Sequence, residues 1–221
     1  MMRFTRPLRH SRFRRVWYGQ AISSIGDGIF NIAMISAVLL HHRYADLGFV
    51  LAAESAAMVM MSLLGGAVAD RMRRGRAMAL SDMIQFLAVL GFTLGVAGAP
   101  LPLILPFAAL MGAGQALFLP AFGALIPSLV PDEDLSAANA LTSATTKLAA
   151  VIGPGLGGLL LATSGYQVAL MVDLGTFAVS ILTLIGLEEP VPERGERESV
   201  FRDARAGLAA VRDRPWVLTV I

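Results

Sequence analysis

Six long apolar stretches constrain this chain more than any other feature of its sequence. A helix needs roughly 20 consecutive apolar residues to cross the hydrocarbon core of a bilayer. Six stretches reach that length, at about 16–40, 47–69, 77–98, 102–127, 137–162 and 167–187. Helices joined by connections as short as these pack as antiparallel neighbours in a bundle. We therefore expect an all-α membrane protein with six transmembrane helices.

The basic residues lie mainly outside the apolar stretches, and they predict an orientation. Only 15% of the residues are charged, and the mean hydropathy is +0.67. Sixteen of the 18 Lys and Arg residues fall in three segments: 3–15, 71–76 and 194–214. The positive-inside rule makes these segments cytoplasmic, including the N-terminus. The remaining cytoplasmic loop, 131–134, is acidic, and that rule gives acidic residues little weight.

The same distribution of charge excludes several classes of protein. Basic clusters that flank apolar spans are topological signals rather than a nucleic-acid-binding face. The chain has no cysteine, so it has neither disulfides nor thiolate metal sites. An integral membrane protein remains.

We expect four segments along the chain. Residues 1–15 form a basic cytoplasmic tail, and residues 16–187 form the six-helix bundle. Residues 188–214 form a cytoplasmic linker with apolar residues at helical spacing, either a helix in the membrane interface or a solvated spacer. Residues 215–221 open with Pro and Trp, as a seventh membrane helix would, but are too few to cross. The sequence therefore predicts part of a longer protein.

A basic turn between the second and third apolar stretches carries a family resemblance. Its sequence is Gly65-Gly66-Ala67-Val68-Ala69-Asp70-Arg71-Met72-Arg73-Arg74. The spacing Gly-x-x-x-Asp-Arg-x-x-Arg resembles the signature loop of the major facilitator superfamily, a large class of secondary transporters. The resemblance implies a gating loop in which Gly66 permits close backbone approach and Asp70 faces a neighbouring helix end. It also implies that Arg71 and Arg74 complete a charge cluster.

The fifth apolar stretch carries a second resemblance. It reads Ala140-x8-Ala149-x3-Gly153-Pro154-Gly155-Leu156-Gly157. This is similar to a motif of the exporting branches of the superfamily, with Ala in place of its first two glycines. The resemblance implies that Gly153, Pro154 and Gly157 make a bent helix face for a close neighbour. The alternative is a plain packing seam of small residues that says nothing about transport direction.

A third resemblance narrows the branch. The segments 119–141 and 207–215 resemble the branch that contains bacterial siderophore and macrolide exporters. Together these resemblances imply the N-terminal half of a major facilitator fold, with six helices in a 3+3 inverted repeat and the start of a seventh. They also imply a partner, either a missing C-terminal half or a second copy.

Ionisable residues inside the apolar stretches are candidate functional groups, because charge is costly in a membrane. There are five: Asp27, Glu54, Asp82, Lys147 and Asp173. Asp27, near the middle of its span, is the best candidate for proton coupling, and Glu54 is the second. Lys147 is either a counter-ion for Asp27 or a contact for an anionic substrate. The alternative is a static buried ion pair that only fixes the packing.

Asp82 and Asp173 lie closer to the ends of their spans. We expect them to reach water or to support loops. Asp82 follows the basic turn, so Arg74 or Arg76 is its expected partner.

These resemblances imply a proton-coupled exporter of small amphiphilic molecules, such as drugs or siderophores, in the bacterial plasma (inner) membrane. Its partners would be the lipid bilayer, protons and the small-molecule substrate. No Gly-x4-Gly-Lys loop is present, which argues against ATP as the energy source. The three histidines lie at span ends and no protease pattern is present, so we expect no enzyme activity, cofactor or metal. The alternative is a non-transporting truncated or regulatory half-protein that needs a partner half or forms a homodimer.

Overall fold

The computed structural model describes residues 3–69 and 72–187. Within these residues, six α-helices are long and apolar enough to cross a membrane, which confirms the prediction. They are α1 (Ser11–His41), α2 (Tyr44–Ala69), α3 (Arg74–Thr93), α4 (Leu101–Leu129), α5 (Asp132–Ser164) and α6 (Tyr166–Leu184). Two short 3-10 helices complete the described secondary structure, at Arg3–Arg9 and Val96–Gly98. The predicted linker and the predicted start of a seventh helix lie outside the described residues.

Local sequence explains two boundaries that differ from the prediction. α3 ends at Thr93 rather than near residue 98, because Gly95 adopts a left-handed conformation, φ 96°, that stops the helix. The acidic residues 132–134, predicted as a loop, form the first turn of α5. Carboxylates are favourable there because the helix dipole is positive at its N-terminus.

The helices pack in a pattern that is symmetric between the two halves of the chain. α1 packs against α5 and α6, while α4 packs against α2 and α3. Exchanging α1, α2 and α3 for α4, α5 and α6 converts the first set of contacts into the second. α3 and α6, which correspond under this exchange, pack against each other. This is the arrangement of a 3+3 repeat, in agreement with the predicted fold.

Two apolar clusters fill the bundle. The larger includes the edge-to-face pair Phe30 and Phe92, whose ring centroids are 5.7 Å apart. The second joins the N-terminal half of α1 and the start of α3 to the C-terminal ends of α4 and α6, with Phe13, Met78 and Leu125 fully buried. In contrast, α2 (over Tyr44–Ser62) and α5 bury the smallest share of their membrane-spanning residues.

Side chains of the N-terminal region tie the helix ends together. Asp134, buried in the first turn of α5, contacts Arg6 (Nε to Oδ1, 3.2 Å) and His10 (Nε2 to Oδ2, 2.8 Å). Arg15 donates to the carbonyls of Leu182 and Ile185 at the end of α6. Carbonyls at a helix C-terminus lack partners within the helix, so this arginine satisfies two of them.

Candidate functional site

Asp27 lies close to the middle of α1, between Gly26 and Gly28. Its side chain is half-buried, and its Oδ1 is buried without a hydrogen-bond partner among the described residues. Buried polar atoms almost always have a partner, so an exception of this kind asks for an explanation. A carboxyl oxygen that no protein group satisfies can take up a proton.

The two motif glycines of α5 pack on α1 beside Asp27. A Cβ on Gly153 would lie 2.7 Å from the carbonyl oxygen of Ile25. A Cβ on Gly157 would lie 3.1 Å from the Cα of Ile29. Both contacts are with the backbone of α1, so these positions accept only a hydrogen as side chain without a shift of one helix. Gly153 and Gly157 thus form an α1–α5 glycine seam, which holds α5 against the turn of α1 that contains Asp27.

Gly28 provides the matching surface on α1. A Cβ at this position would lie 2.8 Å from both the Cα of Gly153 and the Cδ of Pro154. Pro154 lies inside α5, where it removes one backbone donor, yet the helix continues from Asp132 to Ser164. The structure thus brings the three predicted motif residues of α5 together with the Asp27 segment.

The prediction that Asp82 and Asp173 reach water or support loops is wrong. Both side chains are buried, with 1% and 0% of their surface exposed, so neither reaches water in the described bundle. Asp82 accepts a hydrogen bond of 2.7 Å from Ser180 of α6, not from an arginine. Asp82 with Ser180, and Asp173 with Thr176, form a polar layer between α3, α6 and α1. These side chains are buried because the faces of α3 and α6 that carry them pack against other helices.

Two polar residues of α6, Thr176 and Ser180, accompany Asp173 and are candidates that the sequence analysis did not name. Asp173, Thr176 and Ser180 are all buried. Their spacing of i, i+3 and i+7 puts them on one face of the helix. This spacing is a signal that was present in the sequence, since a polar stripe on a membrane helix must face protein rather than lipid.

The structure does not bring Lys147 to Asp27. Lys147 is exposed on α5, and within the described part of the chain it forms no ion pair. A direct counter-ion role for this lysine is therefore absent from this conformation. Glu54 is half-buried on α2, where its backbone contacts Gly112 of α4. It also has no ion pair among the described residues.

The predicted gating loop is described only in part. Gly66 lies within α2, while Asp70 and Arg71 lie outside the described residues. Arg74 begins α3, and its guanidinium donates to the carbonyl oxygen of Ala124 in α4. This arginine therefore links the start of α3 to α4.

Comparison with known families settles the class of protein. A model of the Major Facilitator Superfamily matches residues 16–221. The chain belongs to this superfamily. It is thus a multi-pass membrane protein of a transporter family, and its six helices form the N-terminal half of the major facilitator fold.

Among curated proteins, the chain is similar to exporters of this superfamily. It is 31% identical to the enterobactin exporter EntS of Shigella boydii serotype 18 over 217 residues, which cover 94% of this chain and 51% of the exporter. It is 30% identical to the enterobactin exporter EntS of Escherichia coli O1:K1, with the same coverage. The chain spans about half the length of the curated relatives it matches.

Asp27 lies where a helix of the first structural repeat, α1, meets a helix of the second, α5. The described residues contain no group of His, Asp or Glu side chains arranged to hold a metal ion. Secondary transporters bind substrates and coupling ions near the bilayer midplane, between structural repeats. Asp27 lies at such a position along α1, at the contact with α5.

Proposed function

We propose that this chain forms one half of a proton-coupled exporter of small amphiphilic molecules, such as drugs or siderophores. Transport proceeds by alternating access, in which two six-helix units rock around a central site. Family membership and the similarity to enterobactin exporters support export of small molecules. The α1–α5 glycine seam supports it further, because it contains the residues of the export-type motif.

The observation that carries proton coupling is the unpartnered Oδ1 of Asp27. This carboxyl lies mid-helix, half-buried, and no cation pairs with it in the described residues. A charged group in that position is costly unless its charge is neutralised. Binding and release of a proton neutralises and restores it in each transport cycle. Glu54 is a second group of this kind.

A second six-helix unit completes the transporter in this proposal. It is either the C-terminal half of a longer polypeptide or a second copy of this chain. The exposed apolar residues of α2 and α5 support a partner there, among them Phe49, Val59, Leu148 and Val151. Lys147, exposed on α5, then faces the shared cavity and contacts an anionic substrate rather than Asp27.

The proposed location is the bacterial plasma membrane, with the N-terminus in the cytoplasm. The six arginines of residues 3–15 support this orientation. Gly66, Asp70, Arg71 and Arg74 then lie at the cytoplasmic face, where they act as a gate between the two units.

Efflux driven by an imposed pH gradient tests the proposal. The polypeptide made from the native gene is reconstituted in vesicles, with enterobactin and the dye ethidium as separate probes. We expect Asp27→Asn to abolish uphill efflux but to retain downhill exchange, because an amide cannot release a proton. Asp46→Asn is the matched control, since Asp46 lies in the first turn of α2 and pairs with Arg43 in the connection that precedes it. Unchanged coupling in Asp27→Asn would overturn the role of this residue.

The same vesicles test the alternative of a non-transporting half-protein. That alternative predicts no efflux of either probe by the wild-type polypeptide under any gradient. Efflux that requires a pH gradient excludes it.

A further inference from the structure

Asp173 of α6 is a buried carboxyl group that the proposed coupling mechanism does not use. Its side chain has no solvent exposure, and its Oδ2 has no hydrogen-bond partner among the described residues. It lies against α1, since a Cβ on Gly26 would overlap both its carboxyl oxygen and the Thr176 hydroxyl. Gly26 precedes Asp27 directly, so Asp173 packs against the turn of α1 that carries Asp27.

The surroundings of Asp173 favour a carboxyl group that holds a proton. The Thr176 hydroxyl donates to the backbone carbonyl of Asp173 (2.8 Å) and to its Oδ1 (3.0 Å). A hydroxyl has a single proton to share between these two acceptors. The other carboxyl oxygen, Oδ2, has no hydrogen-bond partner among the described residues. Because a buried carboxylate with so few hydrogen bonds and no paired cation is costly, the neutral, protonated form is favoured.

The charged groups around Asp173 do not offer it a cation. α1 contributes Asp27, which follows directly on the Gly26 that packs against Asp173, and α3 contributes Asp82, which accepts a hydrogen bond from Ser180 of α6. α5 carries acidic residues in its first turn, at 132–134, and beyond that turn its one charged side chain is Lys147, which is exposed. The guanidinium of Arg15 is bound to carbonyls at the C-terminal end of α6, about nine residues or 13 Å along the helix. Like charges repel strongly in a low-dielectric interior, so carboxyls without a cation retain protons.

We propose that Asp173 is a second proton-binding group linked to Asp27, so that the two carboxyls hold two protons when Asp27 is loaded and one after Asp27 has released its proton. The proposal rests on proton coupling at Asp27. When Asp27 releases its proton to the cavity, Asp173 remains protonated and limits the buried charge of the pair to one. If the proton then passes to Asp27, one O–H bond breaks, another forms, and the net charge of the pair is unchanged. Asp82 of α3, which accepts a hydrogen bond from Ser180, is a third buried carboxyl in the polar layer.

Infrared spectroscopy of the 221-residue chain in lipid nanodiscs tests this directly, because a protonated carboxyl has its own carbonyl stretch. We expect such a band at neutral pH, its loss in Asp173→Asn, and a frequency shift in Thr176→Val, which removes the hydroxyl partner. In Asp27→Asn, the pH at which the Asp173 band disappears should change. Asp132→Asn is the control, because Asp132 is exposed at the start of α5 and should leave the band unaltered.

Three outcomes separate this inference from the proposed function. A band that Asp173→Asn and Thr176→Val both leave unchanged overturns the inference, even if efflux proves to be proton-coupled. An Asp173 band whose titration ignores Asp27→Asn overturns the link between the two residues. An Asp173 band that responds to Asp27→Asn supports the inference, even if efflux proves independent of protons and the proposed function fails.

Discussion

Gly28 of α1 and Gly153 of α5 are in direct backbone contact, since a Cβ on Gly28 would lie 2.8 Å from the Cα of Gly153. Helices in a bilayer associate through close van der Waals packing, because lipid offers no hydrophobic drive to bring them together. The contact therefore fixes the position of α5 relative to the segment of α1 that carries Asp27. A change in one helix position must be transmitted to the other.

Gly153→Ala should destabilise the bundle. The added Cβ would lie 2.7 Å from the carbonyl oxygen of Ile25, a backbone atom that moves only if α1 moves. Overpacking of this kind costs about 1–3 kcal/mol. We expect a lower midpoint of thermal unfolding in nanodiscs and reduced efflux by the complete transporter.

Gly155→Ala is the matched control on the same helix. A Cβ at Gly155 meets no atom within 4 Å. Because Ala favours a helix over Gly by about 1 kcal/mol, this variant should be as stable as wild type or slightly more so. Equal loss of stability in the two variants would show that the contact with α1 is not what constrains Gly153.

The six helices were predictable because a bilayer crossing demands a length of apolar sequence that few other structures need. The residues at which these helices begin and end were less predictable. The left-handed conformation of Gly95 shortens α3, and nothing in the apolar composition around it gives the sign of φ. The acidic residues 132–134 look like a loop until the helix dipole is considered.

The site was predictable only where one helix carries the signal. Asp27 was identified because a carboxyl mid-span is rare in any membrane helix. The polar stripe of Asp173, Thr176 and Ser180 indicates that this face of α6 meets protein, but which helices meet it is set by packing between distant segments. For the same reason the sequence could not tell that Lys147 lies on the exposed side of α5.

Arg74→Gln should loosen the start of α3. Its guanidinium donates to the carbonyl of Ala124, and a hydrogen bond from a charged donor contributes about 1.5–3 kcal/mol, less where water competes. We expect faster hydrogen exchange of the amides in the first turns of α3. Arg76→Gln, two residues further along with an exposed side chain, serves as the control and should leave the exchange rates unchanged.

Asp134→Asn should release the N-terminal segment from α5. The carboxylate contacts both Arg6 and His10 and is almost completely buried, so its neutralisation weakens two contacts at once. We expect residues 3–9 to become sensitive to limited proteolysis while the membrane helices stay protected. Asp132→Asn removes the same charge from the same helix turn, where the side chain is exposed. If both variants are cleaved equally, the helix dipole rather than the two contacts holds the segment.

Ser180→Ala should destabilise the contact between α3 and α6. Ser180 donates a 2.7 Å hydrogen bond to the buried carboxyl of Asp82, and leaving a buried acceptor without its donor costs about 1–3 kcal/mol, more if it is charged. Ser164→Ala, at the exposed end of α5, is the control for loss of a hydroxyl. The measurement is thermal unfolding of Ser180→Ala, Asp82→Asn and the double variant in nanodiscs. If the two residues act through this bond, the double variant should lose less stability than the sum of the single variants. Additive losses would mean that Asp82 stabilises the bundle through other contacts, and the polar layer would then not depend on this pair.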